Sequence, residues 1–284
     1  MNIAIDAPKR PALRYYGGKW NLAPWIISYF PPHKNYVEPC GGAASVLLQK
    51  PRSSLETIND LDGNVVNFFR VLRDHPEELI RKIRLTPWAR AEYEDHYDKA
   101  DNDIERARRF WVGCAMAISN MAFSSSGMRI VKNGDGMPGV PDSLTYLDMS
   151  YMESVANRLR GVQIENKSYS EIITMYDHPD NLIFFDPPYV HSTRSSPNTY
   201  AFEWVDEEHE IAAIQLRQCS SQIVVSGYAC PLYTDIYESH GWRRIDKESQ
   251  TNSGGKRIES LWLSPRTWRT LQDDYSEFAM FAAV

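Results

Sequence analysis

The stretch from Asn181 to Val190, "NLIFFDPPYV", decides how this chain is read. Its four consecutive large apolar residues, Leu182 to Phe185, have the length and composition of a strand buried on both faces. Pro187 and Pro188 cannot extend that strand, because neither has an N–H to give a neighbouring strand. The strand must therefore stop, leaving the Asp186 carboxylate and the Tyr189 ring on a stiffened loop at its C-terminal edge. In open α/β sheets that edge is where ligands bind.

Outward from this strand the chain repeats the same kind of unit. Upstream, Tyr36–Val37 leads into "EPCGGAASVLL" (Glu38 to Leu48), which reads as a short strand, a glycine turn and a helix. Leu55 to Ile58 reads as a second strand, followed by an acidic turn at Asp60–Asp62 and a helix through Val71. Downstream come a strand at Val162–Ser168, an amphipathic helix from Asp206 to Cys219 and a buried strand from Gln222 to Gly227. "GWRRIDKES" and "RIESLWLSP" close the series as a hairpin around "QTNSGGK". Strand–turn–helix units in succession predict a parallel sheet with crossover helices. Between the two halves the pattern changes. From about Pro76 to Phe123 it is helical, and Asp101–Asn102–Asp103 can cap a helix whose apolar face is Ile104, Ala107, Trp111, Cys114 and Ile118. A long loop rich in glycine and proline follows, the kind that is usually functional or disordered. The expectation is an α/β fold, with residues 1–70 and 161–284 forming the sheet domain and 71–160 a mainly helical insertion.

Composition narrows the function. At 284 residues the chain can bury a full core, and 43% hydrophobic with 24% charged residues is ordinary for a globular protein. No secretion signal and no run long enough to cross a bilayer is evident. The four cysteines (Cys40, Cys114, Cys219 and Cys230) have no CxxC spacing, which fits reduced thiols in a cytoplasm-like compartment and no zinc site. "HEIAA" at His209 begins like a zinc-protease helix but has Ala213 where a second histidine is needed, so no metal is expected. A net charge of −6 argues against a protein that coats nucleic acid, while leaving room for a local basic cleft.

Three further features fall at strand ends. The glycine turn offers backbone N–H groups beside a crevice, although the same turn also serves tight packing. Asp60 is suited to gripping a ribose hydroxyl, unless it or Asp62 caps the next helix. "LRYYGGKWNL" places Tyr15, Gly17, Gly18 and Lys19 in a turn that equally could open the helix after Trp20. The glycine turn has no GxxxxGK[ST] and no basic phosphate grip, so a ligand with little or no phosphate fits better than a nucleoside triphosphate.

In this combination the chain resembles the Dam-like, D12 class DNA adenine-N6 methyltransferases. "YYGGK" matches their N-terminal motif for the methionine part of the donor, "VEPCGGAASV" their S-adenosylmethionine loop, "DPPY" their catalytic loop, and "RIESLWLSP" their closing strand. The order also matches the group that carries target recognition between donor loop and DPPY. The resemblance implies a Rossmann-like methyltransferase sheet and transfer of a methyl group from S-adenosylmethionine to N6 of a flipped-out adenine. It implies catalysis by Asp186, Pro187, Pro188 and Tyr189. Donor binding would fall to Tyr15, Gly17, Gly18, Lys19, Glu38, Pro39, Cys40, Gly42, Asp60 and Asp186. Two departures stand out: Cys40 replaces a usual aromatic residue and Ala44 a common glycine. For DNA, Arg129 and Lys132 of the glycine-rich loop are the first candidates and Lys256 and Arg257 of the hairpin the next. Arg106, Arg108 and Arg109 read as a solvated face. The substrate expected is double-stranded DNA, met by a monomer or weak dimer in the cytoplasm of a bacterial or phage-infected cell, with a partner restriction endonuclease left open. The alternatives are an RNA or protein-amide methyltransferase, and an inactive DNA-binding relative.

Overall fold

The computed structural model describes residues 8–119, 122–123, 127–132, 138–139, 149–194, 202–250 and 256–282. Seven strands form one sheet: β1 (Asn35–Glu38), β2 (Leu55–Asn59), β5 (Val162–Glu165), β6 (Asn181–Phe185), β7 (Gln222–Gly227), β8 (Arg243–Gln250) and β9 (Lys256–Leu263). Their order is β5-β2-β1-β6-β7-β9-β8. β1 runs parallel to β2 and β6, and β6 parallel to β7, with Phe185 opposite Val225. β9 is antiparallel to both β7 and β8. A short two-stranded ribbon pairs β3 (Val131–Lys132) with β4 (Pro138–Gly139).

β6 and β7 are buried along their whole length, as expected of central strands covered on both faces. On one face Val37, Ile183, Phe185, Ile223 and Val225 pack against Ile172 and Ile173 of α8 (Tyr169–Tyr176) and Ala212, Ala213 and Leu216 of α9 (Asp206–Gln218). Alternation sends Tyr36 and Phe184 to the other face, where both rings meet Phe30 at 5.6 and 5.8 Å. β2 buries Glu56, which Lys50 neutralises at 2.7 Å. Such a pair is retained because a lone buried carboxylate would be far more costly.

The chain divides into two compact units. One comprises Leu22–Gly41, Lys50–Leu61 and Glu165–Val284, and contains the central and C-terminal strands. The other comprises Met1–Asn21, Gly42–Gln49 and Asp62–Ile164, so the boundary falls inside β5. The second unit is mainly helical: α2 (Ser45–Gln49), α3 (Gly63–Asp74), α4 (Pro76–Leu85), α5 (Arg90–Asp95), α6 (Asp103–Met116) and α7 (Ser150–Leu159). Asn102 caps α6, its side chain accepting from the Glu105 N–H. Ala107, Trp111 and Cys114 are buried as the spacing predicts, but α6 ends at Met116 and Ile118 is exposed. There the backbone turns outward to form an isolated bridge between Ala117 and Met128. Arg108 is not solvated: it bonds Glu105 and Glu92, and the side chain is 12% exposed. Arg109 also pairs with Glu105, whereas Arg106 is exposed and donates to Asn64.

Candidate active site

Three strand ends of the sheet-bearing unit hold the site residues predicted from the sequence. β6 ends at Phe185, and Asp186, half-buried, follows at once. β7 lies beside β6 in parallel, so Ser226 falls next to Asp186, and the Ser226 hydroxyl donates to Asp186 Oδ1. This bond fixes the carboxylate's orientation. At the end of β1, Cys40 has its thiol pushed well above the usual range, first by burial and then by the carboxylates of Asp60 and Asp186. The strand order β2-β1-β6 puts Asp60 beyond one neighbour of β1 and Asp186 beyond the other.

The strand ends are tied together by Asn59, which is buried. Its Nδ2 donates to Pro39 O (2.8 Å) and Lys167 O (3.0 Å), and its Oδ1 accepts from Lys167 N at 2.8 Å. The Gly41 N–H donates to Asn59 O at 2.7 Å. A Cβ on Gly41 would sit 3.1 Å from that same carbonyl, so the approach of turn to strand requires glycine. Glu38, one strand turn from Tyr36 on the same face, accepts the Tyr36 hydroxyl at 2.7 Å and is buried. Asp62 is the residue that caps α3, accepting from Asn64 N at 2.8 Å. Capping thus falls to Asp62 and Asp60 stays at the strand end.

Beyond Asp186, Tyr189 does not stand out from the loop. Its side chain is 6% exposed and its hydroxyl donates to Glu259 at 3.2 Å. Its ring meets Tyr228 edge-on, with centroids 4.7 Å apart and planes at 81°. Arg257 donates from Nη1 to the Tyr228 hydroxyl at 3.1 Å.

In the helical unit the N-terminal turn and the glycine turn meet. Gly18 N–H donates to Tyr15 O at 3.2 Å, and Lys19, buried, donates from Nζ to Gly17 O at 2.8 Å. Gly42 has φ +48°, and a Cβ there would lie 3.4 Å from the Tyr15 ring. Arg129 is half-buried with its guanidinium 5.6 Å from the Trp88 ring centroid. Burial lowers the pKa of Arg14, and the neighbouring Arg129 lowers it further. The side chains of Lys132 and Lys256 lie outside the described residues.

A half-buried carboxylate thus stands before two prolines, with a second acid beyond a neighbouring strand and a glycine turn after β1. The profile of the D12 class N6 adenine-specific DNA methyltransferases matches residues 15–252. The chain belongs to that family.

This adenine-specific methyltransferase is 26% identical over 281 residues to a type II methyltransferase of Lactococcus lactis subsp. cremoris, with 89% of this chain and 94% of the relative covered. It is 22% identical to a type II methyltransferase of Methanocaldococcus jannaschii, covering 89% and 96%. It is 24% identical to a DNA adenine methylase of Vibrio cholerae serotype O1, covering 68% and 70%. Among the described residues of the methyltransferase no helix is long and apolar enough to cross a membrane, and no cluster of side chains could hold a metal ion.

Ser226, Tyr228, Glu259 and Asn59 were not foreseen from the methyltransferase's sequence. Glu259 carries the only sequence signal of the four: an acid inside the apolar run "RIESLWL" must find a partner when buried. Ser226 and Tyr228 become visible only once β7 is known to lie beside β6.

Proposed function

We propose that this adenine-specific DNA methyltransferase uses S-adenosylmethionine as methyl donor and acts on a flipped adenine of double-stranded DNA, with Asp186 as the catalytic residue. The observation that carries the reading is the Asp186 carboxylate, oriented by Ser226 at the end of β6 with Asp60 beyond the other neighbour of β1. The donor set fits S-adenosylmethionine: acids rather than lysine or arginine suit a sulfonium and ribose hydroxyls, and Gly41 leaves room where a side chain would not fit. When bound, that donor supplies an electrophilic methyl group. Glu38, Pro39, Cys40, Asp60 and Asp186 would hold it, and the family resemblance adds Tyr15, Gly17, Gly18, Lys19 and Gly42.

An adenine amine is a poor nucleophile because its lone pair is delocalised into the ring. Asp186 accepts one N–H and the Pro187 carbonyl the other, which favours a tetrahedral nitrogen with its lone pair directed at the methyl group. Pro188 stiffens the loop, and positioning with electrostatics carries the rate. Reaching the base costs a few kcal/mol of unstacking, and aromatic stacking returns about 1–3 kcal/mol. Phosphate contacts supply the remainder. Arg129, beside Arg14, is one source, and Lys132, Lys256 and Arg257 are others; residues 71–160 would read the target. The setting is cytoplasmic, and the enzyme a monomer or weak dimer.

The test is incubation with unmethylated bacterial DNA and methyl-labelled S-adenosylmethionine, followed by digestion to nucleosides. Label should appear in N6-methyldeoxyadenosine. In Asp186→Ala it should fall by about 100-fold or more with an unchanged melting temperature, since a group acting only in the transition state is lost. Full activity in that variant would remove Asp186 from its role. Label in RNA or protein instead of DNA would reassign the substrate.

A further inference from the structure

The loop from Asp186 to Tyr189 is held at both ends by strands beyond β6. At its near end the Ser226 hydroxyl of β7 donates to the Asp186 carboxylate. At its far end the Tyr189 hydroxyl donates to Glu259 of β9 at 3.2 Å. Pro187 and Pro188 between these points have no N–H, so backbone donors cannot hold the loop there. Glu259 is an unusual residue for its place. It is buried in the apolar run of β9, next to the Ser260 that pairs with Gly227. A buried carboxylate is costly unless hydrogen bonds satisfy it, and an apolar side chain of that volume would serve the strand at less cost. Two hydroxyls meet this one. The Tyr228 hydroxyl also bonds Glu259, and its pKa is raised by burial and then by that carboxylate. Arg257 donates to the same Tyr228 hydroxyl at 3.1 Å. The two rings so tied meet edge-on, with centroids 4.7 Å apart. One buried acid therefore sets two aromatic rings where β6 and β7 end.

We propose that Glu259 is a positioning residue for methyl transfer: by holding the Tyr189 and Tyr228 hydroxyls together, it fixes the Tyr189 ring and the loop that presents Asp186 to the target adenine. The inference rests on the adenine-methylation reading above. A group that positions without touching substrate acts on the chemical step, because small misplacements of reacting groups slow it strongly. Glu259→Leu, which keeps most of the side chain's bulk, should lower the single-turnover rate on duplex DNA by about 10- to 100-fold. Its KM for S-adenosylmethionine should stay within about two-fold of the wild type. Glu259→Gln keeps an oxygen that accepts hydroxyls and should recover most of the rate. The hydroxyls are tested separately in the Tyr189→Phe/Tyr228→Phe variant, which retains both rings and should lose rate to a similar extent. Adding Glu259→Leu to that variant should cost no more than about a further two-fold, because the changes break one shared interaction. A role in stability alone would lower the melting temperature and leave the rate of the folded enzyme unmoved, which would overturn the assignment. So would losses that multiply, a loss confined to KM, or Glu259→Gln no faster than Glu259→Leu. If Glu259→Leu does not fold, the Tyr189→Phe/Tyr228→Phe variant decides, and a wild-type rate there overturns the proposal. Wild-type labelling of deoxyadenosine is the control: its absence would count against adenine methylation itself, and its presence with any adverse result against Glu259 alone.

Discussion

Ala44 adopts φ +52°, a left-handed conformation that side chains avoid. The strain costs about 1–2 kcal/mol. Glycine would relieve it but would lose about 0.8 kcal/mol of methyl burial and about 0.4–1 kcal/mol through the freer unfolded chain. The opposing effects nearly cancel, which explains why alanine is tolerated, and Ala44→Gly should melt within a few degrees of the wild type by calorimetry. At Cys40 the raised thiol pKa keeps the group protonated at neutral pH, so it acts as a small apolar filler rather than a nucleophile. Both substitutions were visible as departures from a pattern. Their tolerability was not, because it depends on a backbone angle and on burial.

Among the elements, α6 shows how closely the helical unit is packed. A Cβ on Gly113 would lie 2.6 Å from the His96 ring and 2.9 Å from the Ala122 backbone, and His96 is itself fully buried. Neither neighbour is the free end of a flexible chain. Gly113→Ala should therefore destabilise by about 1–3 kcal/mol through overpacking, read as a lower urea midpoint. An unchanged midpoint would mean that α5 and α6 can separate at little cost. The helices themselves were legible, since capping by Asn102 and the 3.6-residue period are local properties. The end of α6 at Met116 was not: apolar Ile118 continues the period, but the chain leaves the helix to pair with Met128, a non-local choice.

On the scale of the whole molecule, acid should be a specific threat. His209 is buried against Trp204 and Tyr233, with its pKa lowered from 6.5 to about 4 by burial and then by Arg194 and His191. Between pH 6.5 and 4 the unfolded chain holds the proton that the folded chain refuses, so stability falls as pH drops through that window, by on the order of 3 kcal/mol. Urea midpoints at pH 7 and 4.5 should show the loss in the wild type and a smaller one in His209→Gln. Equal losses would place the acid sensitivity elsewhere. The sequence by itself determined the seven strands of the main sheet, their order of chemistry-bearing loops and the membership of a methyltransferase family, because apolar runs, prolines and glycine turns act over a few residues. Only the tertiary structure decided that Tyr189 turns inward to Glu259, that Ser226 holds Asp186 and that Tyr228 remains half-exposed beside it. Those outcomes depend on which strands become neighbours, and β6, β7 and β9 are brought together from positions far apart along the chain.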